Sequence, residues 1–413
     1  MLRKIKAINA MTLAFILAAM AVSTSLTDST LNRNAFYLAT LIAAITLLIS
    51  RPRNIPREVI LIASGIFVIG LSQALWLWRF PSFGPLEADE EYLTTALRLI
   101  SGSVLIFAMG SLRNSWGSKT VSLIKGLIVF GFFYTSAMGL YYHAQAPDLR
   151  LQIKTVSTMT AYIYVLQSLL TMYVITSLNL RYKSQAISLV ILVTLWILML
   201  TETRSSLLFY PIILLLVFCR RHHFSIKMIA ISCGIVVLTA AAFHFFESTT
   251  DRLIGTATEL NNYQKGDGNS SVGSRISMWK AGVDAIKHYP AGQSADTRLI
   301  GTTRFINQHE GGNPEALRNL VFHLHNDMIE AGSLQGIGGM AALLLFFTLS
   351  LYACLTSVAA RPILLLVLLP TFVIGLVDTL FIDHRYVTSL TLLLAIYLCL
   401  PPPANKNTCS NVE

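Results

Sequence analysis

Apolar runs of about fifteen to twenty-three residues, parted by short polar connections, recur along nearly the whole chain. They fall at 8–26, 35–49, 59–78, 92–112, 121–142, 156–178, 186–200, 205–219, 228–246, 336–357, 362–380 and 386–400. A helix of about twenty residues crosses a hydrocarbon core of about 30 Å, so the pattern predicts an all-α polytopic membrane protein with about 12 transmembrane helices. The seventh and eighth runs are read as two spans meeting at a turn from Thr201 to Arg204, because one helix over 186–219 would be about 50 Å long. One interval breaks the rhythm: 247–326, about 80 residues, is polar. Within it Ile276, Trp279, Val283 and Ile286 recur at helical spacing before Pro290, which predicts an amphipathic helix over 274–289. Residues 264–273, rich in Gly, Asp, Asn and Ser, read as a flexible approach to it. The chain thus divides into spans at 1–246, a large loop at 247–327, spans at 328–400 and a tail at 401–413.

Charge orients this array. Arg3, Lys4, Lys6, Arg51, Arg53, Arg57, Arg113, Lys119, Arg181, Lys183, Arg220, Arg221, Lys227, Arg361 and Lys406 all fall on one side of the predicted membrane. Cytoplasmic connections collect such residues, so both termini are expected in the cytoplasm and the large loop outside it, in a bacterium the periplasm. The first run follows Arg3, Lys4 and Lys6 and is read as an uncleaved first helix. Over 413 residues, 54% are hydrophobic and 13% charged, with mean hydropathy +0.61, against about a quarter charged in soluble domains. A soluble protein is excluded, and the net charge of +10 reports topology and lipid headgroups rather than nucleic acid. The five cysteines avoid the large loop, so no disulfide framework is indicated.

Candidate chemistry gathers at the outer boundary. Arg150, Lys154 and Arg204 stand in short outer connections, where the charge rule disfavours them. Arg204 either reaches the headgroups or pairs with Glu202, or it forms with Arg275, Arg150 and Lys154 a cationic pocket suited to pyrophosphate. His323 and His325 precede Asp327-Met328-Ile329-Glu330, which has the form of a capping box and predicts a helix start. A helix N-terminus disfavours imidazolium, so His325 is expected neutral and able to take a proton from a hydroxyl. The two histidines also suit a metal, with Asp327, His288 or His309 as a third ligand, although no spacing singles one out. Arg98 is the one clearly intramembrane basic residue, expected to pair with a neighbouring helix or reach the headgroups.

These stretches resemble bacterial O-antigen ligases. His325-Asn326, nine residues, and Gly336-Ile337-Gly338-Gly339 match the family pattern of His, then Asn, Ser or Gln, nine residues, Gly, two residues, then Gly, Thr or Tyr. Thr201-Glu202-Thr203-Arg204-Ser205 resembles the Thr-x-x-Arg turn of the wider ligase and polymerase superfamily, and Ser274-Arg275 with Trp279 and Pro290 resembles its loop signature. The segment after Pro290 departs from it, reading Ala291-Gly292-Gln293 in place of a leucine- and glycine-rich turn. The resemblance implies a GT-C-type glycosyltransferase that moves a polysaccharide from undecaprenyl pyrophosphate to a sugar hydroxyl of lipid A-core oligosaccharide, inverting and without a metal or other cofactor. It also implies His325 as the base, Arg204 and Arg275 on the pyrophosphate, and Gly336, Gly338 and Gly339 allowing close helix packing. A polymerase would use the same donor, but the spacing after His325 favours a ligase. A transporter would instead concentrate its ionisable groups at mid-bilayer.

Overall fold

The structure, a computed structural model, describes residues 2–81, 88–113, 116–221 and 247–400. Every regular element among the described residues is a helix. In chain order these are α1 (Leu2–Ser23), α2 (Ser29–Ser50), α3 (Arg57–Arg79), α4 (Ala88–Ser111), α5 (Ser118–Gln145), α6 (Ser157–Ser177), α7 (Lys183–Thr201) and α8 (Arg204–Arg221). Four helices then fill the expected loop: α9 (Glu247–Gln264), α10 (Ser271–His288), α11 (Ala295–His309) and α12 (Pro314–Asn319). The chain closes with α13 (Asp327–Thr356), α14 (Arg361–Gly375) and α15 (His384–Cys399). Among the described residues seven helices are long and apolar enough to cross a membrane, and four more are shorter apolar helices. Each falls on an apolar run read from the sequence; the run at 228–246 lies outside the described residues.

α6 is buried over 94% of its spanning window, so it stands inside the bundle rather than at its rim. α15 is likewise buried almost throughout. α2, by contrast, turns Leu38, Leu41 and Ile45 outward.

α10 begins three residues earlier than expected, capped by the Ser270 hydroxyl on the Gly273 N–H. Its face differs too. The buried side is Ser274, Ser277, Met278, Ala281 and Ala285, whereas Val283 is 41% exposed. The reason is close approach: Gly282 lies against Ile329 and Leu324, where only small side chains fit, so the bulky positions fall on the flanks. Met278, Ala281, Ile306, Ala316, Leu320 and Leu324 form a small separate core under α10, α11 and α12.

α13 is broken at Gly336, whose φ of 69° and ψ of −157° suit only glycine. The loop turn after Pro290 fills the break. Gln293 N–H donates to the Leu334 carbonyl and its side-chain amide to that of Ser333, both at 2.8 Å, while Ile337 N–H donates to the Pro290 carbonyl at 2.9 Å. Trp76 on α3 clamps the same turn by donating to the Gln293 carbonyl at 2.8 Å. Helix carbonyls orphaned by the kink thus gain partners from the loop, and the Ala291-Gly292-Gln293 departure is the piece that docks there. The expected packing role of the glycines is corrected accordingly. Gly336 makes the break, Gly339 closes on the side chain of Gln335 in its own preceding turn, and Gly338 faces open space.

Candidate active site

The nine residues between Asn326 and Gly336 form one short helical segment, capped at the front and broken at the back. Asn326 is the cap: its Oδ1 accepts from the N–H groups of Met328 and Ile329, each at 3.0 Å. The expected capping box is therefore displaced by one residue, and its two acids serve elsewhere. Asp327 Oδ1 accepts from Leu380 and Phe381 N–H at 2.7 and 3.1 Å, pinning the turn between α14 and α15 to the start of α13. Glu330 Oε2 accepts from Leu324 N–H at 2.8 Å, while Oε1 holds Arg298 of α11 at 2.6 Å and the Tyr92 hydroxyl of α4 at 3.0 Å. The stretch 323–326 is held from both sides.

His325 takes a left-handed backbone conformation (φ 52°). Its Nδ1 lies 3.0 Å from Asp378 Oδ1, and Trp279 Nε1 donates to its carbonyl at 3.2 Å. Asp378 is nearly fully buried; Oδ1 also accepts from Thr379 N–H at 2.9 Å and Oδ2 from the Tyr162 hydroxyl at 3.0 Å. Tyr162 in turn bonds Ser205 Oγ at 3.0 Å, at the first turn of α8. Burial pushes the Asp378 carboxyl up, but the hydrogen bond and charge of His325, with His323 and Arg275, outweigh it and hold the group below the usual carboxylate range. The His323 ring sits edge-on to His325 at 4.2 Å between centroids. Burial, then the charge of His325, pushes His323 down to about 4. His323 is thus a neutral neighbour, and His325 is the ring backed by a carboxylate.

This is an orienting arrangement for proton transfer. A carboxylate on Nδ1 holds that nitrogen as the donor and leaves Nε2 with its lone pair. His323, His325 and Asp378 do present ligand atoms within 4.8 Å of one another. Of these groups, His325 Nδ1 and Asp378 Oδ1 bond each other and Asp378 Oδ2 accepts from the Tyr162 hydroxyl. None of the other expected ligands joins them. His288 turns to the Asp284 carbonyl, His309 to the Phe305 carbonyl, and Asp327 to backbone.

The cations divide. Arg275 on α10 acts electrostatically on Asp378. Arg204 is bound not to Glu202 but to Glu259 of α9 at 3.1 Å, with Thr256 at 2.7 Å. Arg150 Nε donates to the Thr201 carbonyl at 3.1 Å, which brings it to the Arg204 turn. Lys154 instead places its ammonium over the Tyr142 ring at 5.5 Å. Arg98 bonds the His384 carbonyl and Thr388 of α15. Asp378 is the residue that sequence reasoning missed. It stood within the apolar run 362–380, and an acid in such a run is itself a functional signal. α14 ends at Gly375, so Asp378 lies in the turn beyond it.

Residues 189–344, from α7 into the second half of α13, match the protein family described as O-antigen ligase. The chain is also 26% identical over 359 residues to the O-antigen ligase of Escherichia coli (strain K12), across 84% of this chain and 83% of that protein. Over this segment and along most of its length the chain is similar to O-antigen ligases. The protein is a multi-pass membrane protein, and its matched segment contains the Arg204 turn, the four loop helices and the His325 stretch. The polymerase alternative is not favoured by these matches.

Proposed function

We propose that the protein is an O-antigen ligase of the GT-C type, transferring a polysaccharide from undecaprenyl pyrophosphate to a sugar hydroxyl of lipid A-core oligosaccharide at the periplasmic face of the bacterial inner membrane. In this reading it has twelve spans, 228–246 included, with both termini cytoplasmic. The observation that carries the proposal is the His325–Asp378 pair, 3.0 Å apart.

His325 Nε2 takes the proton of the acceptor hydroxyl as its oxygen attacks the anomeric carbon. The bond from that carbon to the pyrophosphate oxygen breaks, and its electron pair leaves with undecaprenyl pyrophosphate. Attack opposite the leaving group inverts the centre, and no metal is required. Asp378 offsets the charge arriving on His325, while Arg204 and Arg275, with Arg150 beside the Arg204 turn, offset charge building on the pyrophosphate. Arg204 is shared with Glu259, so donor binding competes with an existing ion pair.

The test is transfer by full-length protein in lipid nanodiscs, with lipid-linked glycan and lipid A-core as substrates. His325→Ala is expected to lower kcat by about 100- to 10,000-fold, the usual worth of a positioned general base, with insertion intact. A His325→Ala protein as active as wild type would remove the base assignment, and a lengthened lipid-linked chain in place of a capped core would identify a polymerase.

A further inference from the structure

A second cationic cluster lies outside the site just described, on α2, α4 and the first turn of α15. Arg98 on α4 is 5% exposed; Nη1 donates to the His384 carbonyl at 2.9 Å and to Thr388 Oγ1 at 2.8 Å, while its Nε is buried with no partner. Arg385, second residue of α15, also has a buried Nε with no partner. Tyr37 of α2 meets the Arg98 side chain, with Asp383 and then Arg33, an exposed residue one turn before Tyr37, acting on the same charge. Asp383 spends one carboxylate oxygen capping α15, accepting from Arg385 and Tyr386 N–H at 2.8 and 2.7 Å. Among the described residues no carboxylate lies within 4 Å of Arg33, Arg98 or Arg385.

A guanidinium taken out of water without an ion pair is costly, and buried N–H groups are normally bonded. Both facts call for an oxyanion, and phosphate matches the planar fork of arginine. α2 turns Leu38, Leu41 and Ile45 outward beside the cluster, so the neighbouring phase is hydrocarbon and the phosphate belongs to a lipid. The proposed reaction joins two membrane-anchored substrates, and the donor pyrophosphate falls to Arg204 and Arg275. We propose that Arg33, Arg98 and Arg385 bind a phosphate group on the lipid anchor of the acceptor. This inference rests on the ligase reading. α15 follows directly on the turn that carries Asp378, so the cluster and the base are joined through one short segment.

The experiment uses the full chain in nanodiscs of zwitterionic lipid, with saturating donor and acceptor whose anchor phosphates are intact or removed by phosphatase. Wild type is expected to show a KM about tenfold higher for the dephosphorylated acceptor, the worth of one charge-assisted contact. Arg33→Gln and Arg385→Gln should raise the KM of the intact acceptor several-fold, leave kcat and donor KM unchanged, and abolish the preference for phosphate. Variants that keep the wild-type preference, or whose KM rises equally for both acceptors, would overturn the proposal. So would loss of the wild-type preference when anionic phospholipid is added, since the site would then hold bulk lipid. If wild type transfers to neither acceptor, the ligase reading has failed instead. Binding of the two acceptors to the same proteins without donor then decides the site, with equal affinity of wild type for both refuting it.

Discussion

The Arg298–Glu330 pair offers the sharpest test of how the site is held. The two groups meet at 2.6 Å with side chains 3% and 2% exposed. Glu330 also accepts from Tyr92 and from Leu324 N–H, one residue before His325. Glu330→Gln keeps the shape and leaves Arg298 charged, buried and unpaired. Removing one partner of a buried pair costs about 3–5 kcal/mol; the amide oxygen can still accept one hydrogen bond, worth about 1 kcal/mol, so about 2–4 kcal/mol is expected. Because α11, α4 and the 323–326 stretch all meet at this carboxylate, part of that loss should free the His325 backbone and lower transfer. Equilibrium unfolding of the full chain in micelles, followed by helical content, gives the first number, and the transfer rate gives the second. A cycle with Arg298→Met should return a coupling of at least about 1 kcal/mol between the two residues. Glu330→Gln within about 0.5 kcal/mol of wild type, with full activity, would refute the claim that this pair holds the site.

Three further outcomes follow from the geometry. Gly336→Ala forces a Cβ onto the Pro290 carbonyl at a backbone conformation closed to alanine; a loss of about 1–3 kcal/mol and proteolytic release of the 290–294 turn are expected, and wild-type resistance would contradict the docked break. Tyr162→Phe strips Asp378 Oδ2 of its donor, so kcat should fall about 10- to 150-fold with KM unchanged, a net hydrogen bond to a charged group being worth about 1.5–3 kcal/mol; an unchanged kcat would show that Tyr162 does not orient the carboxylate. For His323, the unfolded ring titrates near 6.5 and the folded ring near 4. Between these values the unfolded chain binds more protons, so stability should rise with pH from about 4 to about 6.5 and level off above. His323→Asn should flatten that rise, and an unaltered slope would place His323 in an environment that does not disfavour its charge.

Much of the helix pattern was legible because a bilayer demands long apolar runs, and such runs can be read one at a time. The site was legible in pieces. His325 carried a local signal, the helix start beside it, and Arg275 only its place in a loop signature; the structure sets His325 against Asp378, and Arg275 acts on the same carboxylate. Lys154 carried the same signal as Arg150 yet turns to Tyr142. A charge rule reports the side of the membrane and not the direction of a side chain. The face of α10 was misread for a related reason: bulk marks a buried face only where the neighbour stands back, and α13 does not.

By itself, then, the sequence determined the membrane environment, the runs that become helices and a helix start just after His325, because each depends on local periodicity and capping. Tertiary structure alone decided that Asp378 backs His325 from 53 positions away, that Arg204 is shared with Glu259, and that the Pro290 turn completes a broken helix. Those pairings are between residues distant in the chain. Their energies come from burial and from hydrogen bonds that only the assembled bundle provides.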